Sequence, residues 1–473
     1  MNDHAAEPTP IAIRVLIGAF SLLAAAMLVQ TIITKGLNHD EHQFVAPSAL
    51  LLREGLWPYV HYPHFHMPTL VFVNALPLLL GDHALLGARL LTALFGWGLL
   101  MLIFHAAWRA FQPLTAGARA LAAMAIVTLT VANSTYLYTA GPAWNHQHAA
   151  FGAVAAFLLL ARDGRRPQTS TESPFAAGLL LALAIGVRLS VAPLGLPLLL
   201  MIVYAPTRRD QRTGRLVLAY FAGLAAGMLP SIALCIAAPT DFWFGNFVYP
   251  ALNRAYWLDA ETTSFNAITF VEKIKQVYHL ILLRPMDQPW ALICLGAVAA
   301  CGAWRLRSGA RYAFEVRAAV LCVPFAMIGA FAPTPFQPQY FLSVVPFASL
   351  AATYALASIC AAPHPRRWPI AVAVGAAACA IVLGAERFAI PDTTLHPHRW
   401  PTTRIHRTGE AIATHVGRGR VLTLAPIYVI EGGDALMIDP RLNAGPFAWR
   451  IASLLEPDER VERRVFGSDG FPT

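Results

Sequence analysis

Apolar blocks of about 15 to 25 residues recur along the chain, and short runs rich in Arg, Pro and Gly separate them. A helix needs about 20 apolar residues to cross roughly 30 Å of hydrocarbon, so these blocks have the length of membrane spans. With 57% hydrophobic and 13% charged residues, the chain of 473 residues also has too little polar surface to cover a soluble globule. The sequence therefore predicts an all-α polytopic membrane protein.

Cysteine and charge usage argue against two other classes of protein. All 6 cysteines lie inside or at the edge of apolar blocks, where a thiol behaves as a small hydrophobe, so we expect neither a disulfide framework nor a metal cluster from them. The net charge of +9 comes from basic residues scattered over short loops, which is the pattern that sets membrane topology. No nucleic-acid partner is expected.

The arginine-rich loops predict which way the spans run. The predicted spans are residues 11–34, 84–108, 117–138, 147–161, 174–188, 190–204, 215–238, 288–304, 315–332, 340–361 and 368–385. With a cytoplasmic N-terminus, this order places the arginine clusters between Arg109 and Arg367 in the cytoplasm. If the apolar run from Pro68 to Leu80 also crossed the membrane, every arginine cluster would lie on the outer side. We therefore expect this run to form an interfacial helix. The prediction is about 11 transmembrane helices in a bacterial inner membrane, with a periplasmic C-terminus.

This topology divides the chain into two domains. Residues 1–385 form a transmembrane domain whose first periplasmic loop is residues 35–83, and residues 386–473 form a small periplasmic α/β domain. In the second domain we expect a helix from Ile405 to Val416 and a strand-like run from Arg420 to Leu424. Because the long loops lie on the periplasmic side, function is expected on that face.

Two carboxylates in the first periplasmic loop are candidate catalytic residues. Asp40 and Glu41 follow the first predicted span by about six residues and stand at the boundary between water and lipid. A carboxylate pair is costly to keep at that depth, which favours a functional role. The alternative is that Asp40 caps the helix expected from Glu41 to Arg53, and the two roles are compatible.

An arginine and three histidines are candidates for anion binding. Arg188 lies between two apolar stretches, where an arginine is costly unless it meets an anion or its side chain extends to the interface. His61, His64 and His66 are spaced like metal ligands, but two prolines interrupt them and no carboxylate follows at helical spacing. Hydrogen bonding to phosphate or sugar is favoured over a metal site, and an inert loop is the other alternative.

The order of these motifs resembles the GT-C superfamily of glycosyltransferases. The likeness is to the protein O-mannosyltransferase and lipid A aminoarabinose transferase group, of the family 39 type. It rests on the carboxylate pair, a Gly-aromatic-Pro turn from Gly55 to Pro58, the apolar run after His-Pro elements, the GVRLS turn around Arg188 and the segment from Phe336 to Pro346. The resemblance covers most of the chain and makes residues 1–385 the catalytic domain.

The resemblance implies a sugar donor carried on a polyprenyl phosphate and an acceptor lipid, glycan or protein that arrives from the periplasm, with membrane lipids around the chain. Asp40, with Glu41 beside it, would act as the base in an inverting displacement at the anomeric carbon. No cofactor is implied, and a requirement for a divalent metal stays open. A transporter or flippase for a lipid-linked glycan and a non-catalytic envelope-assembly subunit are the alternative functions.

The resemblance also assigns residues to the donor phosphate and the substrate. Arg188 is the first of them, and the other candidates are His64, His66, Arg284, Gln339, Tyr340 and His146. Two positions depart from the family's pattern. Gln339 stands where relatives commonly have arginine, and the Asn145–His146 pair stands where many relatives have a second acidic residue. Arg284 has an alternative role as an interfacial anchor.

Overall fold

The computed structural model describes residues 9–163, 170–204, 213–259, 269–279, 312–361, 368–383 and 389–466, which are predominantly helical. The helices before residue 384 are α1 (Ile11–Thr34), α2 (His42–Glu54), α3 (Thr69–Leu78), α4 (Ala84–Ala110), α5 (Ala116–Val131), α6 (Ser134–Ala140), α7 (His146–Asp163), α8 (Glu172–Val187), α9 (Gly195–Val203), α10 (Thr213–Gly227), α11 (Leu229–Ala237), α12 (Pro239–Trp243), α13 (Tyr249–Asp259), α14 (Phe270–Tyr278), α15 (Ala313–Phe331), α16 (Val344–Cys360) and α17 (Trp368–Leu383). The helical class predicted from the sequence is confirmed.

Several of these helices can cross a membrane. Four are long and apolar enough within the described residues: α1, α4, α15 and the continuous segment Pro338–Cys360. Two bent pairs, α5 with α6 at 72° and α10 with α11 at 54°, raise the number to 6 if each pair is one span. The chain is therefore a multi-pass membrane protein. The predicted span 288–304 lies outside the described residues, and the total of eleven spans stays a prediction.

The apolar run from Pro68 to Leu80 forms a short helix. Helix α3 has 10 residues, with Pro77 inside it, and is therefore about 15 Å long. This is about half of the hydrocarbon thickness, so α3 alone does not reach across a bilayer. Its length agrees with the interfacial position expected from the arginine pattern.

Helix α16 is the centre of the transmembrane unit. Nearly every side chain from Val344 to Cys360 is buried, because α15, α4, α5 and α7 pack around it. Helices α8 and α10 approach each other most closely at Gly178 and Gly223, where a methyl group would collide with a backbone carbonyl oxygen of the other helix. Small residues allow such close packing between membrane helices, where dispersion contacts replace the hydrophobic effect.

The segment after residue 389 folds against the first loop. It contains α18 (Pro401–Val416), α19 (Pro426–Ile430), α20 (Pro446–Arg450) and α21 (Pro457–Glu462), with strands β1 (Gly419–Val421) and β2 (Leu436–Ile438) paired in parallel. An apolar cluster that includes Val45, Leu85, Ile405 and Ile427 joins this segment to α2 and the start of α4. This contact brings residues near the end of the chain to the loop that carries Asp40.

Candidate active site

A short turn after α1 holds the two candidate carboxylates. Asn38 begins a 3-10 turn over His39–Glu41, and its side chain accepts the backbone N–H of Asp40 at 2.9 Å. Glu41 in return accepts the backbone N–H of Asn38 at 2.9 Å, which completes a capping box and fixes the turn. Asn38 therefore caps the 3-10 turn. Helix α2 follows Glu41 and has no side-chain cap, so the alternative in which Asp40 caps that helix is wrong.

Glu41 is fully buried in an ion pair with Arg89. Arg89 donates from Nε to Glu41 Oε1 at 2.8 Å and from Nη2 to Oε2 at 2.6 Å, and both side chains are 0% exposed. Glu41 Oε1 also accepts the backbone N–H of Ala143 at 2.7 Å. The remaining N–H groups of Arg89 donate to carbonyl oxygens at the end of α1, those of Ile32, Lys35 and Gly36. This carboxylate therefore ties the first loop to α1, α4 and the connection between α6 and α7.

Asp40 keeps its carboxylate accessible. Its side chain is 23% exposed, and Oδ1 lies 3.2 Å from Nε2 of His39. Burial of the remaining surface raises the pKa of Asp40 above its ordinary value, while the charges of His39, Arg450 and Arg188 act in the opposite direction. An accessible carboxylate with a raised pKa is a better proton acceptor than an ordinary surface aspartate. Asp40 and Glu41 are thus neighbours in sequence with different surroundings.

Arg188 lies near Asp40, immediately after α8. Its Nε donates to Ser190 Oγ at 2.8 Å, and its Nη1 donates to Asn145 Oδ1 at 3.0 Å. The guanidinium group also lies over the Tyr340 ring, 4.6 Å from the centroid. These partners are uncharged, and they hold the guanidinium group in place near Asp40. Such a group can bind an anionic ligand through charge-assisted hydrogen bonds.

Three other predicted residues lie around Arg188. The turn Pro338–Ser343 carries Tyr340 and the buried Gln339. His146, the first residue of α7, stacks on Tyr340 with 6.0 Å between the ring centroids. The structure therefore brings together the turn before α16, the start of α7, the loop after α8 and the turn after α1. The sequence predicted candidates in all four segments.

Of the three histidines in the motif His61–His66, His66 is the one that approaches this group. Its Nε2 lies 2.8 Å from Gln43 Oε1. Burial lowers the pKa of His66 to about 3, and the charge of Arg188 acts in the same direction, so the imidazole is neutral at neutral pH. With Nε2–H donated to Gln43, Nδ1 is left as an acceptor. That arrangement suits a sugar hydroxyl better than a phosphate oxygen, which has no proton to donate.

The other two histidines of the motif have different partners. His64 is buried between the rings of Tyr59 and Tyr62, with centroids 5.3 and 6.5 Å away, and burial lowers its pKa to about 3. His61 Nδ1 accepts the backbone N–H of Trp57 at 2.8 Å. The imidazoles of the motif therefore do not converge on one point. A substrate contact of His64 stays a prediction.

Solved structures with the same arrangement of helices exist. ArnT from Cupriavidus metallidurans, bound to undecaprenyl phosphate, matches with a TM-score of 0.59 and 16% identity over 97% of this chain and 90% of that chain. The archaeal oligosaccharyltransferase AglB from Archaeoglobus fulgidus, in complex with an inhibitory peptide and a dolichol-phosphate, matches with a TM-score of 0.53 and 13% identity over 93% of this chain and 65% of that chain. The chain has the GT-C fold.

The GT-C fold confirms the resemblance predicted from the order of the motifs. No protein-family model matches the sequence, and no curated protein does. At 16% and 13% identity, the similarity establishes the fold, and the chemistry has to be argued from the site. The chain spans 65% of the length of the oligosaccharyltransferase.

Within this GT-C fold, Arg450 is a site residue that the sequence analysis missed. It ends α20, and its guanidinium group lies over the rings of Phe447 and Trp257, at 4.6 and 5.1 Å from the centroids. Its positive charge acts on Asp40. Nothing in the local sequence marks Arg450, because its proximity to Asp40 arises when the C-terminal segment folds onto the first loop.

Arg89 was not among the candidates from the sequence, although an arginine near the start of an apolar helix signals a buried anion nearby. Arg284 lies outside the described residues, so its part in phosphate binding stays a prediction.

Proposed function

We propose that this protein transfers a sugar from a polyprenyl-phosphate donor to an acceptor at the periplasmic face of a bacterial inner membrane. The observation that carries the proposal is the accessible Asp40 carboxylate close to Arg188, whose hydrogen-bond partners are uncharged. The pair provides a proton acceptor and an anion-binding cation at one place, which are the two groups that displacement of a phosphate at an anomeric carbon requires. The GT-C fold, together with the polyprenyl phosphates bound to ArnT and AglB, supports the same donor class.

Asp40 acts on the acceptor in this proposal. A hydroxyl or amine of the acceptor attacks the anomeric carbon while Asp40 accepts the proton that the nucleophile loses. The new bond from the nucleophile forms as the bond between the anomeric carbon and the phosphate oxygen breaks, which inverts the configuration. His66 accepts a hydrogen bond from a sugar hydroxyl and orients the ring. The acceptor itself is a lipid, a glycan or a protein.

Two arginines stabilise the departing polyprenyl phosphate. The bonding electrons leave with the phosphate oxygen, so negative charge develops there and cations aimed at it lower the barrier. Arg188 has N–H groups fixed by Asn145 and Ser190, and Arg450 is held over two aromatic rings. Both cations lie near Asp40, so the acceptor and the leaving group occupy neighbouring positions.

Glu41 has a positioning role in this proposal and does not react. Four hydrogen bonds to Arg89, Asn38 and Ala143 occupy both of its oxygens, and its side chain is 0% exposed. A carboxylate in that state has no free lone pair directed at a substrate. This differs from the sequence-based expectation that Asp40 and Glu41 act together, and it leaves Asp40 as the reacting group.

The orientation in the membrane belongs to the same proposal. With about eleven spans, a cytoplasmic N-terminus and a periplasmic C-terminus, the arginine-rich loops face the cytoplasm and the turn at Asp40 faces the periplasm. Residues 1–385 then form the catalytic domain. Residues 386–473 form a separate periplasmic domain that closes the acceptor side of the site.

A deletion strain carrying a plasmid copy of the protein tests the proposal. Lipid and envelope-glycan extracts are compared by mass spectrometry for strains with the wild-type protein, with Asp40→Asn, or without the protein. We expect one glycosylated product to disappear in the deletion strain while its polyprenyl-phosphate sugar accumulates. Wild type restores the product, and Asp40→Asn lowers the rate of transfer about 10²- to 10⁴-fold, the usual contribution of a general base.

Asp392→Asn is the matched control, because Asp392 is 69% exposed in a surface ion pair with Arg399. The control is expected to restore the product fully. Equal restoration by Asp40→Asn, at equal amounts of protein in the membrane, contradicts the role of Asp40. An unchanged set of lipids and glycans in the deletion strain contradicts the proposed activity.

A further inference from the structure

Two histidines and a buried glutamate meet where the C-terminal segment contacts the start of α4. His83 directly precedes α4, His406 lies in α18, and Glu431 follows α19. One donor atom from each lies within 4.8 Å of the other two. The imidazole rings of the histidines are 3.9 Å apart between centroids. This group is separate from Asp40, Arg188 and the other residues of the candidate active site.

We propose that His83, His406 and Glu431 bind one divalent transition-metal ion, with zinc as the ion that best fits the ligands. Two imidazoles and one carboxylate are a ligand set that zinc commonly takes, with donors about 2.0 to 2.2 Å from the ion. Magnesium and calcium prefer oxygen ligands and fit two imidazoles poorly. The proposal does not depend on the transfer activity.

The distances within the group are close to those of a metal site. Two donors on one tetrahedral zinc ion are about 3.3 Å apart. His406 Nδ1 and Glu431 Oε2 are 2.7 Å apart and form a hydrogen bond. A zinc ion bound by both atoms would hold them roughly 0.6 Å further apart.

The low exposure of two of the three side chains favours a preformed metal site over a chance cluster of surface residues. The side chain of Glu431 is 1% exposed and that of His406 is 15% exposed, whereas His83 is exposed and leaves a path for the ion. The backbone N–H of Leu85 donates to Glu431 Oε1 at 2.6 Å and fixes the carboxylate. Outer hydrogen bonds of this kind orient the ligands of metal sites.

A metal ion here would fasten the C-terminal segment to the transmembrane unit. Glu431 and His406 belong to the segment after residue 389, and His83 begins α4. The apolar cluster of Leu85, Ile405 and Ile427 lies beside the group. Coordination bonds would therefore reinforce an apolar contact between two parts of the chain that are more than three hundred residues apart in sequence.

The full-length protein, purified without a polyhistidine tag and stripped with a chelator, is the material for the test. After dialysis against ZnCl₂, bound zinc is measured by mass spectrometry of the metal. We expect about one zinc ion per wild-type chain and less than about a tenth of that for His83→Ala and His406→Ala. The matched control is His415→Ala, because His415 is exposed on the same helix and its hydrogen bond within the described residues is to the carbonyl oxygen of Ala411.

Two further measurements separate loss of the metal from loss of the fold. His83→Ala removes an exposed side chain, so its elution volume and helical circular dichroism should match wild type. Zinc should raise the thermal transition temperature of wild type and of His415→Ala, and should leave that of His83→Ala unchanged. Wild-type protein without zinc after dialysis, or equal zinc in wild type, His83→Ala and His406→Ala, overturns the proposal.

Discussion

Glu41 and Arg89 form a two-pronged ion pair, at 2.8 and 2.6 Å, in which neither side chain is exposed. The pair joins the turn after α1 to the second turn of α4. Arg89 also donates hydrogen bonds to three backbone carbonyl oxygens at the end of α1. Asp40 is the residue before Glu41 in that turn. The position of the accessible carboxylate is therefore set by the buried one.

Glu41→Gln is expected to destabilise the protein. The substitution leaves Arg89 buried and charged without its anion, and breaking such a pair costs about 3–5 kcal/mol. The measurement is the thermal transition temperature in detergent. Glu462→Gln is the control, because Glu462 is 67% exposed beside Arg463 and its loss should cost no more than about 1 kcal/mol. Equal transition temperatures for the two variants would show that the Glu41–Arg89 pair contributes little.

The rate of transfer should fall as the pH is lowered. This fall should begin at a higher pH than it would with an aspartate of ordinary pKa. Asp40 must be ionised to accept a proton, and burial raises its pKa, so kcat/KM is lost as the pH drops through that raised value. The measurement is kcat/KM against pH with the protein in lipid vesicles. An acid limb at the pKa of an unperturbed aspartate would contradict the assignment.

Ionisation of Asp40 should raise the rate of transfer but lower the stability of the folded protein. Because the folded-state pKa is raised, the folded protein holds the proton more tightly than the unfolded chain, and stability decreases as the pH rises through the folded-state value. Asp40→Asn removes this dependence. At neutral pH we therefore expect Asp40→Asn to have a higher thermal transition temperature than wild type while transferring less sugar.

Arg188→Ala should weaken the binding of polyprenyl phosphate. A charge-assisted hydrogen bond contributes about 1.5–3 kcal/mol, so the Kd for undecaprenyl phosphate should rise about 10- to 100-fold. Arg188→Lys should recover part of the affinity, because lysine keeps the charge without the planar fork. Arg119→Ala is the control, since Arg119 also lies over an aromatic ring, that of Trp108, at 4.1 Å. Native mass spectrometry gives the Kd values, and an unchanged Kd for Arg188→Ala would refute phosphate binding there.

Arg450→Ala should reduce both phosphate binding and transfer without unfolding the C-terminal segment. Its contacts are with the rings of Phe447 and Trp257, and the charge it brings to Asp40 is the part that the proposed mechanism uses. We expect a Kd for undecaprenyl phosphate about 10-fold higher than that of wild type. Arg441→Ala, which removes an arginine paired with Asp439 in the same segment, should leave the Kd unchanged. Equal effects of the two substitutions would point to a general loss of structure.

The orientation in the membrane can be tested with fusions. Alkaline phosphatase should be active when joined after His83 or at the C-terminus, and inactive when joined after Arg212, because the arginine-rich loop stays in the cytoplasm. A fluorescent protein should give the opposite pattern. Active phosphatase after Arg212 would invert the proposed topology.

Much of the site could be predicted because polar residues are costly in a chain this apolar. Asp40, Arg188 and Tyr340 were candidates for that reason or through the resemblance, and the structure brings them together. The sequence could not distinguish Asp40 from Glu41, because the difference depends on Arg89 in α4. The two carboxylates are adjacent and share the same local sequence. Glu41 is the buried one because folding brings Arg89 to it.

The side chains that the C-terminal segment contributes were not predicted, for a related reason. The sequence indicated a helix from Ile405 to Val416, and the structure has α18 from Pro401 to Val416. Local periodicity identifies such a helix. It carries no information about which loop the segment contacts, so Arg450 and the His83–His406–Glu431 group became apparent only from the packing.

The position of Arg450 in the chain has a consequence for biosynthesis. The transmembrane helices before residue 384 are made and inserted first, and α20 emerges from the ribosome after them. Asp40 and Arg188 are therefore in the membrane while the chain still lacks its second cation. Under the proposed mechanism, a nascent or prematurely terminated chain would be inserted without Arg450, so it would transfer lipid-linked sugar poorly until its synthesis is finished.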